Sequence, residues 1–324
     1  MERRVLYHLL RKNCLDKPSA SAEPWQIQNY RAMSYDTLLH DLDKLGIPLD
    51  RTSFNALADQ FDSPEDLTND LLKGSDLSQE KQDHVYLLIF ELWRHFVPEK
   101  LSLSIFCDEL DHMIDLYDKG EGGSEEGLQD AVATLAVILD ENTDRGIEPH
   151  EAFNAINASC ANDIESFLYN FIAEQIDIKN VPYASELLDD FDAYVADKKW
   201  FDLLKGRLMY LTEESEVNVL MRDLVKKTIA QQDLEFNLEV LSALTEGGEQ
   251  SVFVTVARQT LLLLKTEEEF QDFLMTCIEY FHFLDHDSKE LAIQKILEQR
   301  INIPLDQAWN PQLPPAEELK GILS

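Results

Sequence analysis

The chain has 324 residues, 44% of them apolar and 28% charged, which is enough apolar material for a large core and excludes a disordered chain. Asp and Glu number 62 against 28 Lys and Arg, a formal charge of −34. A field of that sign repels phosphate backbones and anionic headgroups, which argues against nucleic-acid and membrane partners. It leaves two readings of the acidity itself: solubility, or a docking surface for a basic partner.

Glycine is scarce, at 11 residues, which favours helices joined by short loops over a β protein with its many turns. No run of about 18 uncharged apolar residues occurs, so no membrane span is expected. Residues 1–31 are net basic, with Arg3, Arg4, Arg11, Lys12, Lys17 and Arg31 against Glu2, Asp16 and Glu23. They do not read as a secretory signal, because the apolar stretch Val5–Leu10 is broken by His8 and followed by Arg11 and Lys12. The segment is expected either to dock on the acidic body of the chain or to serve as a contact segment.

Residues 2–14 read as an amphipathic helix and 16–26 as a linker rich in Pro, Ser and Ala. Ser34 then caps a helix with Leu38, Leu39, Leu42 and Leu45 at helical spacing, which Gly46 and Pro48 stop. Thr52–Phe61 is short and helical. Ser63-Pro64-Glu65-Asp66 is a strong helix start: a capping Ser, Pro in the first turn, and acids where the helix dipole favours them. Ser78 to Val97 carries a broad apolar face through Tyr86, Leu87, Ile89, Phe90, Trp93 and Val97, and Pro98 ends it. Leu103–Tyr117 follows, then the Gly-rich stretch Lys119–Ser124. With no strand before it and no phosphate-loop pattern, that stretch reads as a linker. Leu128–Leu139 is strongly apolar and expected to be central.

Beyond Glu148 helices are expected at about 149–158, 161–177, 183–197, 199–211, 214–231, 234–245, 250–264, 267–284 and 287–300. Their short connections make neighbours antiparallel. Phe167, Phe201, Phe236 and Phe270 recur at spacings of 34, 35 and 34 residues, each near a helix start. A period near 34 is one helical hairpin, as in α-solenoids. The tetratricopeptide pattern of Trp, Leu, Gly, Tyr, Ala, Phe and Pro is absent, so the likeness is in period alone. From Ile303 to Ser324 the prolines at 304, 311, 314 and 315 exclude a long helix. Pro315–Leu323 has room for a turn or two. Trp309 is read as an anchor pinning the tail to the body, with a partner-binding peptide as the alternative.

The fold expected is therefore all-α: a multi-helix bundle at 1–120, an α-solenoid-like array of antiparallel hairpins at 124–302, and a Pro-rich tail at 303–324.

Motifs for chemistry are weak. Asp140 to Glu151 resembles an EF-hand calcium loop, with oxygen side chains at Asp140, Asn142, Asp144 and Glu148 and a closing Glu151. The sharp-turn position, however, is Arg145 rather than Gly, with Gly146 one place late, and an ordinary capped loop is the competing reading. Two E-x-x-H pairs, Glu109–His112 and Glu279–His282, place a carboxylate and an imidazole on one helix face, as in di-iron bundles. His282 and His286, beside Asp285 and Asp287, are a conceivable surface divalent site. Acidic groups at Glu186, Asp189, Asp190 and Asp192, and at Glu267–Glu269, read as solvated faces or a binding face. Cys14, Cys107, Cys160 and Cys277 lie far apart with no C-x-x-C pair, fitting reduced, buried thiols rather than zinc or a disulfide framework.

No nucleophile elbow, zinc-protease or dinucleotide motif is present, and no catalytic, cofactor-binding or metal residue is assigned. The expectation is a cytoplasmic, non-enzymatic adaptor or chaperone-like protein that binds a protein or peptide, a basic one if the acidity is a docking surface. The alternative is a helical enzyme or sensor using carboxylate-bound divalent metal at 140–151 or at the His/Glu pairs.

Overall fold

The computed structural model describes residues 23–26, 28–120 and 124–324. The helix expected at 2–14, most of the basic leader, and Cys14 lie outside the described residues. The structure is 71% helical, with sixteen helices and no strand among the described residues. No helix among them is long and apolar enough to cross a membrane. The chain divides into two compact units, Met1–Phe167 and Leu168–Ser324. The division falls neither at the Gly-rich stretch near 120 nor at 302. The helix after the Gly-rich stretch packs on the one before it, and the tail packs on the last hairpin.

In the first unit α1 (Tyr35–Lys44), α2 (Arg51–Ala58) and α3 (Pro64–Leu71) pack on α4 (Gln79–Phe96). The side chains of Ser34, Asp50 and Ser63 accept hydrogen bonds from the backbone N–H of Thr37, Ser53 and Asp66, so the three short helices begin where their caps dictate. α4 is buried without interruption from Val85 to Trp93, which makes it the centre of a core with Tyr30, Leu38, Leu42 and Phe54. α5 (Leu103–Asp118) pairs with α6 (Ser124–Asp144), and α7 (Pro149–Asn157) packs on α6.

α8 (Ile164–Asp177) leads into the second unit. There α9 (Val181–Phe191), α10 (Lys198–Leu211), α11 (Val217–Thr228), α12 (Leu234–Leu244), α13 (Gln250–Leu263), α14 (Glu267–Phe283) and α15 (Asp287–Glu298) follow with short turns. α10 pairs with α11, α12 with α13, and α14 with α15; in addition α10 packs on α12, α12 on α14, and α11 on α13. Gly206 allows the approach of α10 to α11, since a Cβ there would stand 2.4 Å from Met221 Sδ. Phe201, Phe236 and Phe270 are all buried in the first turn of their helices, but Phe167 is only half-buried and Leu168 takes the buried place beside it. The hairpins are present; a strict solenoid period of about 34 residues is not confirmed.

The tail is part of this unit. Trp309 stacks on Phe270 with ring centroids 3.7 Å apart, and its backbone N–H donates to Lys265 O at 2.8 Å. The N–H groups of Glu267 and Glu268, orphaned at the start of α14, donate to Gln307 O and Leu305 O at 2.8 and 3.0 Å. Arg300 lies over the rings of Phe270 and Trp309 and binds the buried Glu267 carboxylate through two nitrogens. The anchor reading of Trp309 thus has its contacts, and α16 (Pro314–Ile322) seats Ala316 and Leu319 in the same core. Replacing Trp309 by Ala is expected to lower unfolding free energy by about 3–5 kcal/mol in denaturant titration. A loss under about 0.5 kcal/mol would mean that the tail does not hold the unit together.

Candidate functional site

The calcium-like loop is not a loop. α6 continues through Asp144, so Asp140, Asn142 and Asp144 stand on a helix and do not wrap around a common centre. Asn142 Nδ2 donates to Ile138 O at 2.8 Å, and Arg145 pairs with Glu141 one turn back at 3.2 Å. Gly146, at φ +90°, ends the helix, with Ile147 N–H returning to Asn142 O. The glycine one place late therefore makes a helix cap, and Pro149 opens α7. Among the described residues no group of three or more His, Cys, Asp or Glu is placed to hold a metal ion.

The two E-x-x-H pairs part company. Glu109 accepts from Arg31 and Arg94, both at 3.0 Å, while Asp108 accepts from the same two at 2.6 and 2.9 Å. The Glu91 carboxylate lies 3.6 Å from Arg94. Burial outweighs the two arginines and raises Glu91 to about 7. Burial also lowers His112, with Arg31 acting in the same direction. Arg31, the one basic residue of the leader that is described, pairs with Asp108 and Glu109 of its own chain. In the second pair, His282 leaves Glu279 and meets Glu290 at 3.1 Å on the surface, while His286 stacks on Phe281. The acidic runs also separate: Glu186, Asp189 and Asp190 are exposed, Asp192 pairs with Lys205 at 2.7 Å, Glu267 is buried under Arg300, and Glu269 closes the capping box of α14.

A pocket of about 330 Å³ opens in the second unit, lined by Ile176, Asp177, Lys179, Tyr210, Leu211, Glu213 and Glu246. It lies where α8 and α10 end and where the chain turns after α12. The first two ends close in the same way: Lys179 and Glu213 adopt left-handed backbone, φ 61° and 57°. The N–H groups of the following Asn180 and Glu214 donate back to Gln175 O and Met209 O at 2.8 and 3.0 Å. Glycine usually fills that position, and a side chain there costs about 1 kcal/mol or more in strain. Ile176 and Tyr210 are buried and form the floor with Leu211, while the four charged side chains reach solvent at the rim. Asp177 is held by Arg207 at 2.5 Å. Partial burial holds the Glu246 carboxyl above the usual carboxylate range, against the pull of Arg207. The carbonyl ends of α8 and α10 add partial negative charge.

Sequence reasoning missed this pocket, and a left-handed turn built on Lys and Glu carries no glycine to announce it. Comparison of the chain with protein-family models, curated proteins and solved structures finds no match.

Glu91 gives a test of the buried ion cluster. Its folded pKa of about 7 lies above its ordinary value of 4.5, so between these values the folded state keeps a proton that the unfolded state loses. Its contribution to stability therefore falls as pH rises from 4.5 to about 7. Glu91→Gln is expected to gain on the wild type across that window, by about 1–3 kcal/mol in denaturant midpoints converted to free energy. A difference that does not vary with pH would contradict the assignment.

Proposed function

We propose that the protein is a non-enzymatic, cytoplasmic interaction module, an adaptor or chaperone-like protein, whose second unit grips a protein or peptide partner by a basic side chain. The observation that carries this reading is the pocket at the ends of α8 and α10, where an apolar floor meets Glu213, Glu246 and two helix carboxyl ends. A Lys or Arg side chain lays its aliphatic stem along Ile176, Tyr210 and Leu211 and its charge against the two glutamates. The strain kept at Lys179 and Glu213 supports a role for these side chains, since strained backbone persists where a site needs it. The formal charge of −34 supports a basic partner through long-range steering. The alternative, a helical enzyme or sensor with carboxylate-bound metal, finds no metal-holding cluster among the described residues to rest on.

Fluorescence anisotropy with labelled Arg-rich and Glu-rich peptides tests the reading. The basic peptide is expected to bind and the acidic one not. Affinity should fall steeply between about 0.1 M and 1 M salt, as the screening length shrinks from about 10 to 3 Å. Glu213→Gln combined with Glu246→Gln should weaken binding about tenfold, some 1.4 kcal/mol, with the circular dichroism unchanged. Because the Glu246 carboxyl titrates above the usual range, acidification should weaken binding before carboxylates in that ordinary range protonate. Peptide binding indifferent to salt and to both substitutions would sink the pocket assignment. Stoichiometric metal in the purified protein, with calcium or magnesium raising its melting temperature, would favour the alternative.

A further inference from the structure

Cys107 and Cys160 are 53 positions apart in the chain, and the fold brings them together. Cys107 sits on α5 one turn before Asp111, on the same face. The buried Asp111 carboxylate accepts the N–H groups of Ala161 and Asn162 at 2.7 and 2.9 Å, and Asn162 Nδ2 at 2.9 Å. The two residues after Cys160 are thereby clamped to α5. On its other side Cys160 donates its N–H to Ile156 O at 3.1 Å, and Cys107 Sγ makes a weak thiol contact to that same carbonyl at 4.0 Å. The two cysteines thus bracket one carbonyl group, Cys107 through its thiol and Cys160 through its backbone N–H, which sets the two side chains side by side.

We propose that Cys107 and Cys160 are a redox-active dithiol that closes to a disulfide, stapling α5 to the turn between α7 and α8. The oxidant is a small-molecule disulfide of the glutathione class. Cys160, at 9% exposure against 1% for Cys107, meets it first. As a thiolate its sulfur attacks one sulfur of the oxidant, whose S–S bond breaks to release one thiol. The Cys107 thiol then gives up its proton and attacks the mixed disulfide at Cys160, expelling the second thiol. Two protein thiols lose two electrons, the oxidant gains them, and both protons leave on its two thiol products. Cys160 is held by its own N–H to Ile156 O and by the N–H groups of Ala161 and Asn162 to Asp111, and Cys107 is held by α5 itself, so the reduced fold already presents the pair. The contact with Cys107, followed by burial, pushes the Cys160 thiol upward, which keeps it protonated at neutral pH. Closure is therefore slow and accelerates in mild alkali.

The experiment is incubation of the full chain with oxidised glutathione at mildly alkaline pH, then alkylation of remaining thiols in denaturant, digestion without reductant, and mass spectrometry. The expected product is a peptide pair joined through Cys107 and Cys160, lost on reduction, with Cys277 alkylated. The oxidised protein should melt several degrees higher than the reduced one, because the staple limits the unfolded chain. That gain should be missing in both Cys107→Ala and Cys160→Ala. Recovery of both thiols in alkylated form, Cys160 halted as a stable glutathione adduct, or a link to a different cysteine would each overturn the proposal. The peptide map of the wild-type protein decides this even where a variant folds poorly.

Discussion

A helical hairpin buries one face against its partner and leaves another bare, so a run of hairpins holds only if its last member is covered. In the second unit the tail does the covering. At the start of α14 it supplies carbonyls to the N–H groups of Glu267 and Glu268, a ring to Phe270, and a setting for Arg300. The same device recurs one hairpin earlier with residues from within the run. Trp200 meets the Phe236 ring edge-on at 5.0 Å, and Lys199 lies over both rings while pairing with Asp233 at 2.8 Å. Cation, indole and phenyl thus repeat as Lys199–Trp200–Phe236 and Arg300–Trp309–Phe270. The second set is assembled from sequence beyond the last hairpin.

Buried ion pairs fix position more than they add stability. A pair taken out of water is close to neutral when whole and costly when broken. Arg300 and Glu267 are tolerable in the core because the pairing is two-pronged, two aromatic faces cover the guanidinium, and Gln271 donates to Glu267 at 3.1 Å. Arg31 and Arg94 play the corresponding part in the first unit, where each reaches both Asp108 and Glu109. Glu91 is the exception. With three carboxylates and two guanidiniums in one enclosed cluster, it is the group whose burial exceeds its compensation.

What could be read in the sequence was local. Ser34 and the Ser63-Pro64 start announce helices because a cap acts within three residues of itself. The same locality explains the resemblance that failed: acidic spacing at 140–151 matched a calcium loop, yet nothing between Leu139 and Gly146 stops a helix, so α6 runs on. The turns at Lys179, Glu213 and Asp285 were invisible in kind, since each places a charged residue where glycine is the usual sign. The pocket, the Arg31–Asp108 pair and the contact of Cys107 with Cys160 join residues separated by dozens of positions. Phe167 shows the limit from the other side: its spacing is regular, but burial is decided by the neighbours each helix meets, and there Leu168 is the residue enclosed.

The acidity takes on a different meaning once the cations are located. Arg31, Arg94, Lys199, Arg207 and Arg300 all show side-chain exposure of 18% or less, each paired with a carboxylate. Lys100 likewise turns its ammonium to the carbonyls of Ala58 and Phe61, at 2.8 and 3.4 Å. These six of the 28 basic residues are largely withdrawn from solvent, while Glu186, Asp189, Asp190, Glu213 and Glu246 face it. The formal charge of −34 sets up a negative field around the chain. Such a field acts over about one screening length, roughly 10 Å at 0.1 M salt, before any contact is made. Under the proposed function it steers a basic partner toward the protein without choosing where it lands. The choice falls to short-range features, and in the second unit the apolar floor of Ile176 and Tyr210, enclosed by fixed helix ends, is a feature of that kind.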